Sequence, residues 1–423
     1  MAGIDLTGCG RRSFLNIALR GTASVAIGQH ISDTRMSDPK RGPGWVPKEE
    51  FLATLPGMMR LASLPGLSMA VIEDGKVVWS KCFGVLNANT KAPVQGDTLF
   101  EAASMSKPVF AYAVLQLAED KTIDLDKPLV GYYRPAYLPK HEYIDQITAR
   151  HVLTHTTGLP DWGDENKPET LKPSFKPGSY FSYSGEAFVF LQFVIEKMTG
   201  KGLDELVRGR LFDPAGMSHS TFTWDSDSSQ QASYGHDEGL VASQFRRESW
   251  PQFEPIAKKL GKPLRNWTQE DWVRASALLN PNQPAPKRVG YVNCAASLLT
   301  TAIDYAKFLS FCVAHEPRRS WEISEWMRRT MVAPHSVIQE GEPIWWGLGW
   351  TVERAPGNWL FGHEGNNENK FTCYSGADPE RGRGVVILTN GGSGFGVYQR
   401  VVRAITGYDQ YSFIADMDPP RSL

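Results

Sequence analysis

Ser104 and Lys107, in EAASMSKPVF, stand three residues apart where a helix begins. Residues i and i+3 share a helix face, so the lysine amine can lie beside the serine hydroxyl. A serine hydroxyl is a weak nucleophile until a neighbour takes its proton. A lysine does so when burial lowers its pKa. A helix start also offers unpaired backbone N–H groups to a developing oxyanion. S-x-x-K alone is a weak signal, since about one or two copies arise by chance in a chain of this size. A solvated Ser and Lys on an alanine-rich helix is the ordinary outcome.

Three further stretches change that balance. KPGSYFSYSGEAF supplies Tyr183, with Tyr180 as its rival three residues earlier. HVLTHTTGLPDW supplies a loop before it, and LFGHEGNN places His363, Glu364 and Gly365 on a late strand. The order S-x-x-K, tyrosine motif, x-x-G resembles the serine hydrolases related to class C β-lactamases, D-Ala-D-Ala carboxypeptidases and family VIII carboxylesterases. The likeness runs from about Leu67 to Thr406 and includes LTHTTGLP, YVNCAASLLTTAIDYAKFL, WGLGW and ADPERGRGVVILTNG.

The resemblance implies Ser104 as acyl-accepting nucleophile, Lys107 as its partner, and Tyr183 as the Y-x-N tyrosine. It implies an oxyanion hole from the backbone N–H groups of Ser104 and Asn366, with no metal or cofactor required. Two positions depart from the family pattern: Gly185 stands where Y-x-N has asparagine, and His363 where K-T-G has lysine. A neutral histidine is a weaker anchor for a substrate carboxylate than lysine. Both departures favour a small ester over an anionic amide or β-lactam. The leading expectation is therefore a serine esterase. A β-lactamase or carboxypeptidase, an acyltransferase, and a non-catalytic binding protein are the competing readings.

The elements that must position these residues read as strands at both ends and helices between. GLSMAVIEDGKVVWSKCFGVL is a hairpin about Asp74-Gly75. The segment after Ser104 has apolar residues at helical spacing, with Pro108 suited to a first turn. AFVFLQFVIEKMTG reads as a buried helix stopped by Gly200, AASLLTTAIDYAKFLSFCVAH as another, and WTQEDWVRASALLN as a helix with a Thr268–Asp271 capping box. GLGWTVE, NWLFGHEG, NKFTCYSGADP and GVVILTNGG are short strands before a closing helix, GVYQRVVRAITG. The predicted fold is α+β and β-lactamase-like. It is an antiparallel sheet flanked by terminal helices, with an inserted mainly helical lobe and the site at the interface. The expected division is a tail over 1–40, an α/β lobe from 41–110 and 335–423, and a helical lobe over 111–334. An irregular excursion at about 225–290 is either a surface feature or a wall over the cleft.

Bulk properties exclude several classes. The chain has 423 residues, 41 % hydrophobic and 22 % charged, with a formal net charge of −1. Nothing in this balance points to nucleic acid or an anionic membrane surface. No apolar run approaches the roughly 18 residues of a membrane span. The five cysteines are scattered, with no C-x-x-C pair, which argues against a disulfide framework or zinc cluster. Arg11-Arg12 followed by Phe14-Leu15 resembles a twin-arginine export signal, and Leu6–Cys9 a lipoprotein box. Arg20 interrupts the apolar run, so the compartment stays open between cytoplasm and export. The partner expected is a small-molecule ester; oligomeric state is not readable.

Some residues have two readings. His151 and His155 are spaced like a metal pair but lack the glutamate of H-E-x-x-H, which favours a structural role. Trp345, Trp346 and Trp350 are core, or, with Trp346 foremost, line an apolar substrate pocket, and Trp162 has the same two readings. Asp161 and Glu364 lie near the expected site, although solvated or structural carboxylates are commoner.

Overall fold

The computed structural model describes residues 44–242, 244–314, 319–355 and 357–413. The twin-arginine and lipoprotein-box motifs lie outside the described residues. β1 (Gly66–Glu73) and β2 (Lys76–Gly84) form the expected hairpin. Asp74 and Gly75 take φ of 50° and 68° at its turn, the left-handed geometry of a tight hairpin. Two-residue strands β3 (Phe100–Glu101) and β4 (Leu299–Thr300) pair with each other. β5 (Ser336–Val337), β6 (Ile344–Trp346), β7 (Thr351–Ala355), β8 (Asn358–Asn367), β9 (Phe371–Asp378) and β10 (Arg383–Thr389) follow.

Eight of these make one antiparallel sheet in the order β2-β1-β10-β9-β8-β7-β6-β5. The N-terminal hairpin therefore joins the C-terminal strands through β1 and β10, with Met69 opposite Ile387. Both faces are covered. Along β1, Ala70 and Ile72 enter the core shared with the helices of the middle of the chain. Leu67, Met69 and Val71 enter a second core with the terminal helices. That alternation is the two-residue period of a strand. Continuous burial of β1, β9 and β10 follows from their central place in the sheet.

The middle of the chain supplies α1 (Ser106–Glu119), α2 (Ala149–Leu153), α3 (Gly185–Thr199), α4 (Gln269–Leu279) and α5 (Ala302–Val313). α3 ends at Gly200 with φ 69°, a glycine C-cap. α4 starts with the Thr268–Asp271 capping box. α5 is shorter than its sequence pattern, because Leu299–Thr300 pair with β3 instead of extending the helix. That pairing ties the turn carrying Ser104 to the loop before α5. The closing helix, α6 (Gly394–Thr406), buries Val397, Val401 and Ile405 at helical spacing against the second core. The 225–290 segment contains four short α-helices, and none of its residues lines the cavity described below.

Candidate active site

Ser104 sits on a one-turn 3-10 segment, Ala103–Met105, just ahead of α1. Ala103 takes φ 49°, a left-handed conformation uncommon for a residue with a Cβ. Ser106 holds this turn by donating to the Ala103 carbonyl at 2.6 Å and accepting from Leu298 N at 3.0 Å. Lys107 lies one turn into the structure and is buried, 1 % exposed. Its Nζ donates to Ser104 Oγ at 3.1 Å and to the Ala295 carbonyl at 3.0 Å. The 293–298 turn that offers this carbonyl is fixed from α3, where Gln192 accepts from Cys294 N at 2.9 Å. Burial pulls the Lys107 ammonium down to about 8, against a smaller opposing pull from Asp161.

Tyr183 is the tyrosine at the site; Tyr180 is 68 % exposed. Its neighbours are fastened on both sides. Ser182 N donates to the His155 carbonyl at 2.8 Å, and Ser184 N to His155 Nδ1 at 3.0 Å. Ser184 then caps α3, its Oγ accepting from Ala187 N at 3.0 Å, a contact worth about 1 kcal/mol. Burial raises the pKa of the Tyr183 phenol, outweighing a smaller opposing pull from the neighbouring Ser104 side chain, so the phenol is protonated. The Lys107 amine lies 4.6 Å from its ring centroid.

An aromatic cage surrounds the phenol. His155 stacks on it at 4.2 Å between ring centroids, and the Trp346 edge approaches at 5.7 Å. Trp346 is buried and held by its Nε1 donating to the Leu153 carbonyl at 3.1 Å. His155 itself has φ 51° and a pKa pushed well down by burial and by Lys107. Because its Nδ1 accepts from Ser184, the neutral ring carries its proton on Nε2. His151 caps α2, accepting at Nδ1 from Thr148 N at 3.2 Å. No group of three or more metal-ligating side chains occurs among the described residues.

β8 brings the third stretch. β7 pairs with β8 only as far as Thr351 opposite Gly362, whereas pairing with β9 continues to Asn367. Past Gly362, then, β8 has an open edge on its β7 side, and that edge faces Ser104. Gly365 permits the approach: a Cβ there would fall 2.4 Å from the Ala102 carbonyl oxygen. The Asn366 side chain points away, bonded to Asn369 across the β8–β9 turn. His363 is buried, and its Nδ1 donates to the Glu364 carbonyl at 2.5 Å. Its Nε2 has no protein partner. Burial, with Lys107 adding to it, holds the ring down to about 3, so it is neutral with a bare lone pair on Nε2.

These parts line one cavity of about 830 Å³. Ser104, Tyr183, Trp346, His363, Gly365 and Asn366 border it, together with Leu159, Pro160 and Asp161 from the loop before α3. Lys107 lies behind this wall. Gly185 is not on the wall; a Cβ there would fall 2.5 Å from Trp162 Cζ2. The Trp162 indole thus fills the space a larger residue at 185 would need. Asp161 caps α3 instead, accepting from Gly185 N at 2.7 Å. Of the tryptophan trio, Trp345 packs on Trp359, and Trp350 on Phe308 and Phe361, away from the cavity.

A sequence profile described as beta-lactamase matches residues 53–408. The chain belongs to the beta-lactamase family. It is 31 % identical over 169 residues to penicillin-binding protein 4* of Bacillus subtilis (strain 168), covering 35 % of this chain and 36 % of that protein. It is 30 % identical over 193 residues to esterase EstB of Burkholderia gladioli, covering 39 % and 48 %. The matches thus span between a third and a half of these two curated relatives. The crystal structure of the D-alanine carboxypeptidase AmpC from Burkholderia cenocepacia superposes with a TM-score of 0.62. It shares 18 % identity and covers 84 % of this chain and 96 % of that one. The fold is that of this family.

Within the family frame, the structure gives two side chains places that their sequence readings do not: Trp162 reads as core or pocket wall, and His155 as a metal or structural histidine. Trp162 occupies the volume in front of Gly185, and His155 forms one face of the Tyr183 cage. The pairing of a bulky Trp162 with a Gly185 helix start was the available signal for the first. LTHTTGLP carried the second, but nothing in its spacing reveals a stacking partner 28 residues downstream. No helix of the described residues is long and apolar enough to cross a membrane.

Proposed function

We propose that the protein is a serine carboxylesterase acting through a Ser104 acyl-enzyme. The observation that carries this reading is the buried Lys107 amine, 3.1 Å from Ser104 Oγ and with a pKa near 8. A lysine in that state is partly neutral near physiological pH and can accept a proton. Ser104 Oγ attacks the ester carbonyl carbon as its proton passes to Lys107 Nζ. The oxyanion is held by the backbone N–H groups of Ser104 and Asn366 beside the open edge of β8. As the intermediate collapses, the carbon–alkoxide bond breaks. The neutral Tyr183 phenol gives its proton to the departing oxygen and is reprotonated from Lys107. Water repeats the sequence in reverse and releases the acid.

Preference for an ester over an amide or β-lactam rests on the two departures from the family motifs, at 185 and 363. Gly185 has no side chain to grip a substrate amide, and Trp162 fills its place. His363 is neutral where a cation would anchor a carboxylate. The likeness to an esterase supports the same choice. The test is hydrolysis of p-nitrophenyl butyrate against a chromogenic cephalosporin, in wild type and Ser104→Ala. Ester turnover that vanishes in the variant, with an acyl adduct on the intact wild-type mass, is the expected result. Efficient cephalosporin turnover with negligible esterase activity would reverse the assignment.

A further inference from the structure

The cavity continues past Ser104, over the open edge of β8, to a second wall made by Glu364, Phe395, Tyr398 and Ser412. No step of the proposed acyl transfer uses this wall. Glu364 and His363 are the side chains β8 sends to the two sides of that edge. Both are acceptors: His363 through its bare Nε2, Glu364 through its carboxyl. One Glu364 oxygen, Oε1, takes the Tyr398 hydroxyl at 2.7 Å, which fixes the carboxyl in the wall. Tyr398 meets Phe395 edge-on at 5.4 Å, and Phe395 is 40 % exposed at the rim. A carboxylate backed by two aromatic rings is the chemistry that recognises an alkylammonium group.

We propose that this arm is a subsite for an alkylammonium group carried by the alcohol portion of the ester. The inference rests on the esterase reading for its catalytic consequence. The alcohol portion is assigned because the departing oxygen must lie at the Tyr183 phenol, which borders the same cavity as Glu364. Lys172 enters the same cavity from the loop before α3, so a competing preference for anions is a real alternative outcome.

The groups facing the Glu364 carboxyl are Tyr398 from α6, Glu353 from β7, Tyr374 from β9 and Tyr183. Burial, with Glu353 as a lesser contributor, raises the Glu364 carboxyl to about 7. It is therefore more fully ionised at pH 8 than at pH 6, and a bound cation favours the ionised form.

The test uses an isosteric pair, acetylcholine and 3,3-dimethylbutyl acetate, with acetylated 3-hydroxypropanoate as the anionic congener, followed by pH-stat. The wild type is expected to prefer the cationic ester over its neutral isostere by about five- to thirtyfold in kcat/KM. That ratio should grow from pH 6 to pH 8 and fall towards one in Glu364→Gln. A ratio near one in the wild type, or preference for the anionic ester, overturns the proposal. So does a preference that survives Glu364→Gln. If no ester is turned over, the esterase reading fails on its own. Calorimetric titration of the wild type with choline and 3,3-dimethyl-1-butanol then decides the subsite: tighter choline binding supports it, and equal binding overturns it.

Discussion

The two faces of the sheet at β7–β9 both bury ionisable groups, yet they treat them differently. On the reverse face the buried carboxyls are paired: Asp378 accepts from Arg381 and Asn358, and Glu353 and Glu364 each have a phenol. Tyr408 donates to Glu353, which also accepts from Ser412 N at 2.9 Å, and Tyr398 donates to Glu364. On the face towards the helices, the groups around Ser104 are crowded but incompletely paired. His155 and His363 each keep an Nε2 with no protein partner, and the two histidines and Lys107 are all pushed towards their neutral forms. Burial alone therefore does not mark the reactive face. What marks it is burial without complete hydrogen bonding, bordering a cavity. A fully satisfied buried network adds rigidity, whereas an unspent acceptor on a cavity-lining residue, as at His363, leaves capacity for a further partner.

Breaking the front face should have the largest effect. Ser104→Ala and Lys107→Ala are each expected to lower kcat for p-nitrophenyl butyrate by about 10³-fold or more, with Tm within a few degrees of wild type. Steady-state kinetics beside thermal melting checks this. Next comes Gly365→Val. It forces β8 away from the Ala102 carbonyl and should cost about 10²-fold in kcat, close to the loss of one oxyanion donor. KM should move less than kcat.

The pH response is the third. Lys107 must be neutral to act, and its pKa is lowered from 10.5 to about 8. The active form is thus lost as pH falls, and kcat/KM should drop about tenfold per unit below that value. A profile flat from pH 6 to 9 would remove Lys107 as the base. The smallest effect on activity belongs to Glu353, the reverse-face carboxyl that does not line the cavity. Tyr408→Phe leaves Glu353 with one fewer donor and should cost about 1–3 kcal/mol of stability while kcat stays within about twofold. A large loss of kcat in Tyr408→Phe would erase the distinction between the faces.

Much of this arrangement was legible in the chain. Strong local signals sufficed for β1–β2, α1 and α3: Asp74-Gly75 for the turn, apolar spacing after Ser106, and Gly200 as a stop. The chemistry-bearing trio was legible because its residue types are unusual together in that order. Less legible was anything set by a partner far away. Leu299 and Thr300 look helical in their own neighbourhood, and only pairing with Phe100 and Glu101 makes them a strand. The Trp346 environment was similarly hidden, since Trp345 and Trp350 carry the same local signature yet face other surroundings. The open edge of β8 depends on where β7 stops pairing, which no run of residues within β8 announces.

Trp162 and Gly185 carry a consequence for redesign. An asparagine introduced at 185 alone meets an occupied volume and displaces the indole before it can reach any amide. The indole is 47 % exposed, so it can swing towards solvent or be removed without opening a buried hollow. On the esterase reading, a library meant to move towards amide substrates should therefore vary 162 together with 185, so that each side chain at 185 meets both an occupied and an open neighbourhood.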